Sequence, residues 1–398
     1  MIPRKRGGPD GRGPGGVVIG GDYQGLGIAR SLGRHGIPVC VIDDETSIAR
    51  ASRHVRPVIR VRDLRSETSL LDALAIARTR LGRSRWVLYP TRDETVAAVA
   101  ANRDALLPYF RVPTPGLPSV SRAWDKRETY RLADQLRIPI PRTWFPRAET
   151  DLAAIGLAAP VVVKPAIKEH FFYASRVKAW RADTRIQLIS TFRRAAGIVP
   201  EGEIIVQEMI PGGGDEQYAY CVFCRNGRAL ASMTVRRRRQ HPSDFGRAST
   251  YVETVCRPEL AELSMRFLRA IGYYGLAELE YKRDPRDGAF KLLDVNVRTW
   301  GYHTLGWSAG VDFPYLLFRD QLGAQVGEVH ARPGVRWIRL ATDLPNAVRD
   351  IRAGRLPTRD FVRSLRAVDA EAVFSLRDPL PGLYELALLP YLAVKRGL

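Results

Sequence analysis

A short apolar strand, a glycine-containing turn, a helix and a second apolar strand succeed one another over residues 15–45. That order restricts the fold more than any other stretch of the chain. Val17-Val-Ile19 reads as a buried strand and Gly20-Gly-Asp-Tyr-Gln-Gly-Leu-Gly27 as a turn. Residues 28–35 read as a helix closed by Gly36, and 39–42 as the next strand. Strands joined through a helical crossover pair in parallel, and a parallel sheet is covered on both faces. The chain is therefore expected to open with an α/β layer structure.

Glycines in the turn and the acids Asp43-Asp-Glu45 after the second strand resemble a dinucleotide fingerprint. The G-x-G-x-x-G spacing is not met, so the unit is read as a βαβ element that binds no nucleotide. More α/β units follow: a helix over 68–81, a strand over 86–89 and a helix from 93 to about 107. Pro90-Thr-Arg-Asp-Glu94 lies just past a strand end, where open sheets place ligand groups. Val112-Pro-Thr-Pro-Gly-Leu-Pro118 marks a boundary, and residues 1–14, rich in Gly, Pro and Arg without periodicity, are expected to be a disordered tail.

Beyond the boundary the pieces carry chemistry. Tyr130, Leu132, Ala133 and Leu136 form a helical stripe that begins near Lys126 and stops at Pro139 and Pro141. Pro160-Val-Val-Val-Lys-Pro165 is a buried strand whose Lys164 needs an anionic partner, for which phosphate oxygens are suitable. A strand from Glu203 through Gln207 and Glu208 breaks at Ile210 into Pro-Gly-Gly-Gly-Asp215-Glu216. Such a backbone can lie along an adenine edge, with acids just beyond for ribose hydroxyls. Leu276-Ala-Glu-Leu-Glu-Tyr281 alternates as a strand, Asp284-Pro-Arg-Asp-Gly288 turns, and 289–297 is a second strand. Asp294 and Asn296 are two apart and leave the same face. With Glu280 they make an all-oxygen cluster of the kind Mg²⁺ shares with water and phosphates.

Composition excludes several alternatives. Hydrophobic residues make up 45% and charged residues 26%, which describes a globular protein. No apolar run reaches the roughly 18–20 residues of a membrane span, and Met1-Ile-Pro-Arg-Lys-Arg is not followed by a secretory core. Residues 383–394 are interrupted by Glu385 and Pro390 and read as a core or interface helix. The net charge of +20 is spread along the chain with no nucleic-acid motif, so no nucleic-acid partner is expected. Its one dense patch is the arginine run 236–239, a grip suited to carboxylate or phosphate. Cys221 and Cys224 form a lone C-x-x-C on a strand-like run without a second pair. With Cys40 and Cys256 they are read as reduced thiols, and the location as cytoplasmic.

The order Lys126, Lys164, the Val-Gln-Glu-Met-Ile-Pro-Gly hinge, Glu280 and then Asp294-x-Asn296-x-Arg298 resembles the ATP-grasp superfamily over residues 15 to about 325. It is most similar to the predicted carboxylate–amine ligases grouped with D-aspartate ligase. Those share Pro90-Thr-Arg-Asp-Glu94, an arginine-rich loop before a glycine, and a tail like Phe374-Ser-Leu-Arg-Asp-Pro-Leu-Pro381. The resemblance implies a Rossmann-like front domain over 15–120. A two-lobed ATP-grasp fold over 121–325 follows, with nucleotide in the cleft between lobes and a lid at about 140–205. Residues 326–398 would be a mainly helical extension. It also implies that Lys126 and Lys164 contact ATP phosphates, that Gln207, Glu208 and Ile210 border adenine, and that Asp215 or Glu216 takes the ribose. Glu280 and Asp294 would hold Mg²⁺, or Mn²⁺ in its place, with Asn296 completing the shell. Arg298 would face the transferred phosphoryl, and Arg237 and Arg239 would grip substrate. One departure is evident: Pro165-Ala-Ile-Lys-Glu-His-Phe-Phe-Tyr-Ala-Ser-Arg-Val-Lys178 lacks the family's phosphate-covering glycines, which leaves Lys168, His170 and Lys178 or another loop shape to close the site.

The implied reaction makes an acyl phosphate from a small carboxylate and ATP, then an amide by attack of an amine, in an enzyme compatible with a homo-oligomeric assembly. The competing expectations are a nicotinamide-dependent oxidoreductase using Gly20 to Gly27 and Asp43, and a catalytically silent ATP-binding scaffold.

Overall fold

A computed structural model describes residues 13–157, 160–175, 177–242, 246 and 248–396; the tail expected over 1–14 falls, up to residue 12, outside them. The front of the chain runs β1 (Gly16–Ile19), α1 (Tyr23–Arg34), β2 (Val39–Asp43), β3 (Val55–Arg60), α2 (Glu67–Leu81), β4 (Trp86–Pro90), α3 (Asp93–Ala101), α4 (Arg103–Leu106) and β5 (Phe110–Arg111). Its strands form a parallel sheet in the order β3-β2-β1-β4-β5. β1, β2 and β4, apolar except for Asp43 at the end of β2, are buried on both faces, as that pairing requires. The helix expected over 28–35 begins five residues earlier, because Gly25 and Gly27 serve close packing and not a turn. A Cβ on Gly27 would lie 2.5 Å from Thr304 Cγ2 and 2.6 Å from His303 Nε2. The long helix expected from 93 breaks at Asn102 into α3 and α4.

Two helices, α5 (Leu117–Trp124) and α6 (Lys126–Gln135), lead out of this domain. Pro118 sits in the first turn of α5, and the Asp125 carboxylate caps α6 by accepting from the Arg127 amide at 2.9 Å. A small lobe follows with β6 (Thr143–Trp144), β7 (Val161–Pro165), α7 (Lys168–Ser175), β8 (Trp180–Ala182), α8 (Arg185–Ala196) and β9 (Ile204–Glu208). Its four strands run antiparallel in the order β6-β9-β7-β8. Leu188, Phe192 and Ala195 of α8 close a core of their own over Val161, Val163 and Val206.

The large lobe contains β10 (Gln217–Arg225), β11 (Arg228–His241), β12 (Ala248–Thr254), α9 (Pro258–Ala270), β13 (Gly275–Arg283), β14 (Phe290–Asn296), α10 (Thr304–Ala309) and α11 (Phe313–Gln321). The remainder is β15 (Val329–His330), β16 (Arg336–Ile338), α12 (Leu340–Arg352), α13 (Thr358–Arg366), β17 (Ala370–Glu371) and α14 (Leu380–Arg396). Asn226 and Gly227, both at positive φ, make the tight turn between β10 and β11. The sheet runs β14-β13-β10-β11-β12-β16-β17, with β15 beside β11. The last strands thus extend the same sheet that carries the acid pair. Cys221 and Cys224, three apart on β10, fall in cores on opposite faces of it, which explains the lone C-x-x-C as packing.

The tail motif has a mechanical role. Asp378 accepts from Arg30 Nε at 2.9 Å, Ser52 Oγ at 2.8 Å and the Arg53 amide at 3.1 Å, clamping the chain end to the front domain. On α14 the expected core pattern is inverted: Leu383 and Leu386 are exposed, while Glu385 is buried in an ion pair with Arg339 at 2.7 Å. Among the described residues no helix is long and apolar enough to cross a membrane.

Gly27→Ala is expected to lower stability by about 1–3 kcal/mol in chemical denaturation, the usual cost of overpacking. Burial pushes His303, whose Nε2 donates to the Gln24 carbonyl at 3.0 Å, down to about 4. The unfolded chain, with an imidazole near 6.5, then binds more protons than the folded one as pH falls. This single group should cost about 2 kcal/mol of stability between pH 7 and pH 5. Thermal unfolding at the two pH values should show a smaller drop for His303→Gln than for the native chain.

Candidate active site

The site grows from one ladder. In the antiparallel pairing of β13 with β14, Glu280 lies opposite Asp294 and Glu278 opposite Asn296, so four oxygen-bearing side chains share a face. Asn296 Nδ2 donates to Glu278 Oε2 and to Glu280 Oε1, each at 3.0 Å. Its Oδ1 accepts from Arg298 at 3.2 Å. Arg237, two strands away on β11, reaches across β10 to Glu280 Oε2 at 3.0 Å. Against the cost of burial, Arg237 and Lys178 hold Glu280 below the usual carboxylate range. Glu278 goes the other way: burial and the neighbouring Glu280 push it up to about 7, although Tyr302 donates a hydrogen bond to it. Glu278 was missed in the sequence, yet the alternation that aligned Asp294 with Asn296 also aligns it with Glu280.

Lysines converge on the acids from the other lobe and from α6. Lys126, the first residue of α6, places Nζ 2.5 Å from Asp294 Oδ1 and, against burial, holds that carboxyl below its ordinary range. Lys164 on β7 donates to Tyr130 Oη at 2.6 Å and to Gln207 Oε1 at 2.8 Å; Tyr130 in turn donates to the Leu293 carbonyl at 2.7 Å. Lys178 lies in the same charged surroundings, where burial brings it down to about 8.

A third arm comes from the front domain. Asp93, at the start of α3, accepts from Arg298 Nε at 2.6 Å and from Lys168 Nζ at 3.2 Å. These two cations outweigh its burial and keep it ionised. The glycine-free stretch after Lys164 is the helix α7, not an open loop. It is joined to the front domain by Lys168 and by Tyr173, whose hydroxyl donates to Glu94 at 2.6 Å. Glu169 of the same helix accepts from Trp124 Nε1 at 2.8 Å. His170 points elsewhere, to Glu203 at 2.9 Å on an exposed edge. Asp93, Trp124, Lys126, Lys168, Glu169 and Asp294 line a small cavity of about 20 Å³.

Other expected residues serve the hinge. Glu208 is ion-paired with Lys291 and Arg286, both at 3.3 Å, so its carboxylate is engaged by protein. The carbonyls of Ile210 and Gly212 accept from Lys282 Nζ at 2.9 and 2.8 Å. Asp215 and Glu216 follow on an accessible turn beside Arg236. Arg236, Arg237 and Arg239 belong to the strand β11 and not to a loop. Arg239 does not join the acid cluster: it forms an ion pair with buried Asp343 at 2.8 Å and packs over Tyr251 and Phe361. Two register irregularities flanking it separate its direction from that of Arg237. At the front turn, Asp43 accepts from the Gly21 amide at 2.5 Å and pairs with Arg92, so this acid is used within the domain.

The donor set suits a hard, partly hydrated cation. Glu280 and Asp294 oppose one another, and Asn296 Oδ1 keeps a second lone pair. Among the described residues no three His, Cys, Asp or Glu side chains converge into a closed metal cage. Few protein oxygens, with water and phosphate completing the shell, is the pattern of Mg²⁺.

Comparison with known proteins relates the chain to ATP-grasp proteins and to ligases. The family model described as "ATP-grasp in the biosynthetic pathway with Ter operon" matches residues 201–342. D-aspartate ligase of Enterococcus faecium (strain Aus0004) is 24% identical over 300 residues, which cover 71% of this chain and 70% of that protein. The L-amino acid ligase from Bacillus licheniformis superposes with a TM-score of 0.62 at 16% identity, over 82% of this chain and 79% of that one. N5-carboxyaminoimidazole synthetase from Staphylococcus aureus does so with a TM-score of 0.63 at 13% identity, over 86% of each chain. The chain therefore has the fold of these solved structures, matches an ATP-grasp family model over its residues 201–342, and is similar in sequence to D-aspartate ligase.

Proposed function

We propose that the chain activates a small carboxylate with ATP as an acyl phosphate and couples it to an amine, releasing ADP and phosphate. The observation that carries this reading is the facing pair Glu280 and Asp294, met by Lys126 from α6 and Arg237 from β11. A carboxylate is a poor electrophile, and transfer of the γ-phosphoryl group to it supplies a leaving group. That transfer asks for positioning and charge neutralisation more than for a nucleophilic side chain.

The residues divide the work. Lys126 and Lys164 bind phosphate oxygens, and Lys178 adds positive charge beside Glu280. Gln207 and the 208–210 backbone border the adenine, while Asp215 or Glu216 takes ribose hydroxyls. Glu280 and Asp294, with Asn296, would hold Mg²⁺ or Mn²⁺, which when bound neutralises charge on the phosphates. Arg298 faces the transferred phosphoryl group, and Asp93 fixes its guanidinium through the 2.6 Å hydrogen bond. Helix α7 excludes water from the reactive acyl phosphate when the lid lies down. Four free thiols, of which Cys40, Cys221 and Cys224 are buried and Cys256 is exposed, support a cytoplasmic setting.

A screen of pooled carboxylates against pooled amines, with Mg²⁺ and ADP release as readout, should find a productive pair. The double variant Asp294→Ala, Asn296→Ala should lose turnover by at least about 100-fold while keeping its thermal transition. Full activity in that variant would sink the metal assignment. Arg239→Ala should instead act on stability. It should cost about 3 kcal/mol in denaturation by stranding Asp343, with no change in KM for ATP in the folded fraction.

A further inference from the structure

A second cavity, of about 310 Å³, opens at the other end of the front sheet and shares no lining residue with the one beside Asp294. Arg85 precedes β4, Arg103 starts α4 and Arg111 ends β5; Tyr274 and Gln321 of the large lobe complete the wall. Three guanidiniums line this space, and no carboxylate does.

Among the described residues, the hydrogen bonds that these cations donate go to backbone carbonyls. Arg85 donates to the Leu107 carbonyl at 3.2 Å, Arg103 Nε to that of Thr114 at 3.2 Å, and Arg111 to that of Gln321. Each of these bonds orients a guanidinium and leaves most of its five donors unused. Arg111 Nε is buried without a hydrogen-bond partner. The acid nearest the group, Asp104, stands 3.7 Å from Arg103 and is almost wholly exposed, so it neutralises little. Asp320, behind Tyr274, is already paired with Arg225. Burial and the charge of Arg85 both lower the Arg111 pKa, the sign of a cation lacking its counter-charge.

We propose that this cavity binds an organic phosphate. A phosphate dianion offers three oxygens to three forked donors, more acceptors than one carboxylate has. The volume falls within the range of small-molecule sites and leaves space beside the phosphate for an organic body over Leu107, Phe110 and Val112. Because Arg111 and Gln321 come from different domains, the ligand would tie the front sheet to the large lobe.

Calorimetric titration of the full chain with ribose 5-phosphate, ribose and inorganic phosphate tests the site. Ribose 5-phosphate should bind at one equivalent, and ribose should not bind. The affinity should survive Lys126→Gln in the ATP cleft and fall at least tenfold in Arg85→Gln, Arg111→Gln. Arg85→Gln alone, at an exposed position, should keep the fold and show the weakening if the double variant does not fold. Binding that survives the arginine changes, or is lost only with Lys126→Gln, would overturn the proposal. Equal affinity for inorganic phosphate would overturn its organic part.

Discussion

Three carboxylates on one face of a two-strand ladder set the terms for everything around them. Glu278 is buried, Glu280 and Asp294 are only partly exposed, and the three lie close enough together that each disfavours ionisation of its neighbours. Cations must reach them, and each comes from a different part of the chain: Arg237 from across the sheet to Glu280 and Lys126 from α6 to Asp294, while Arg298 from just beyond β14 adds its charge near Glu278. Where the cations suffice, the acids stay charged; Glu278, hydrogen-bonded to Tyr302 and Asn296, is the one raised by burial and its neighbour's charge.

This requirement makes the front domain a wall of the site and not an appendage. Asp93 bridges Arg298 and Lys168, joining the parallel sheet, the large lobe and the small-lobe helix α7 through one carboxylate. Close backbone packing at Gly27 against His303 and Thr304 holds the domains together, and the Asp378 clamp ties the chain end to the same surface. Small displacements of the front domain therefore act on Arg298 through Asp93.

The elements with strong local patterning were legible. The apolar strands of the front sheet, the Asp125-capped helix and the hairpin bearing Asp294 and Asn296 all carry short-range signals. Glu278 was readable by the same period-two rule and was passed over. The start of α1 was not legible, because Gly25 and Gly27 signal a turn locally, whereas Gly25 packs on the Gly20 carbonyl and Gly27 answers to His303 and Thr304, hundreds of residues away. The segment after Lys164 was not either: without glycines it becomes α7, whose contacts lie on the front domain.

Arg237 and Arg239 mark the boundary between the two kinds of information. The sequence by itself determined that a dense cationic stretch exists and that two acids and an amide await counter-charges, since residue chemistry and side-chain alternation are local properties; that the stretch is a strand and not a loop came from the pairing of β11. Only the tertiary structure decided that Arg237 meets Glu280 while Arg239 is spent on Asp343. That choice turns on strand order and two register irregularities in β11, which depend on pairing between distant segments and leave no local trace.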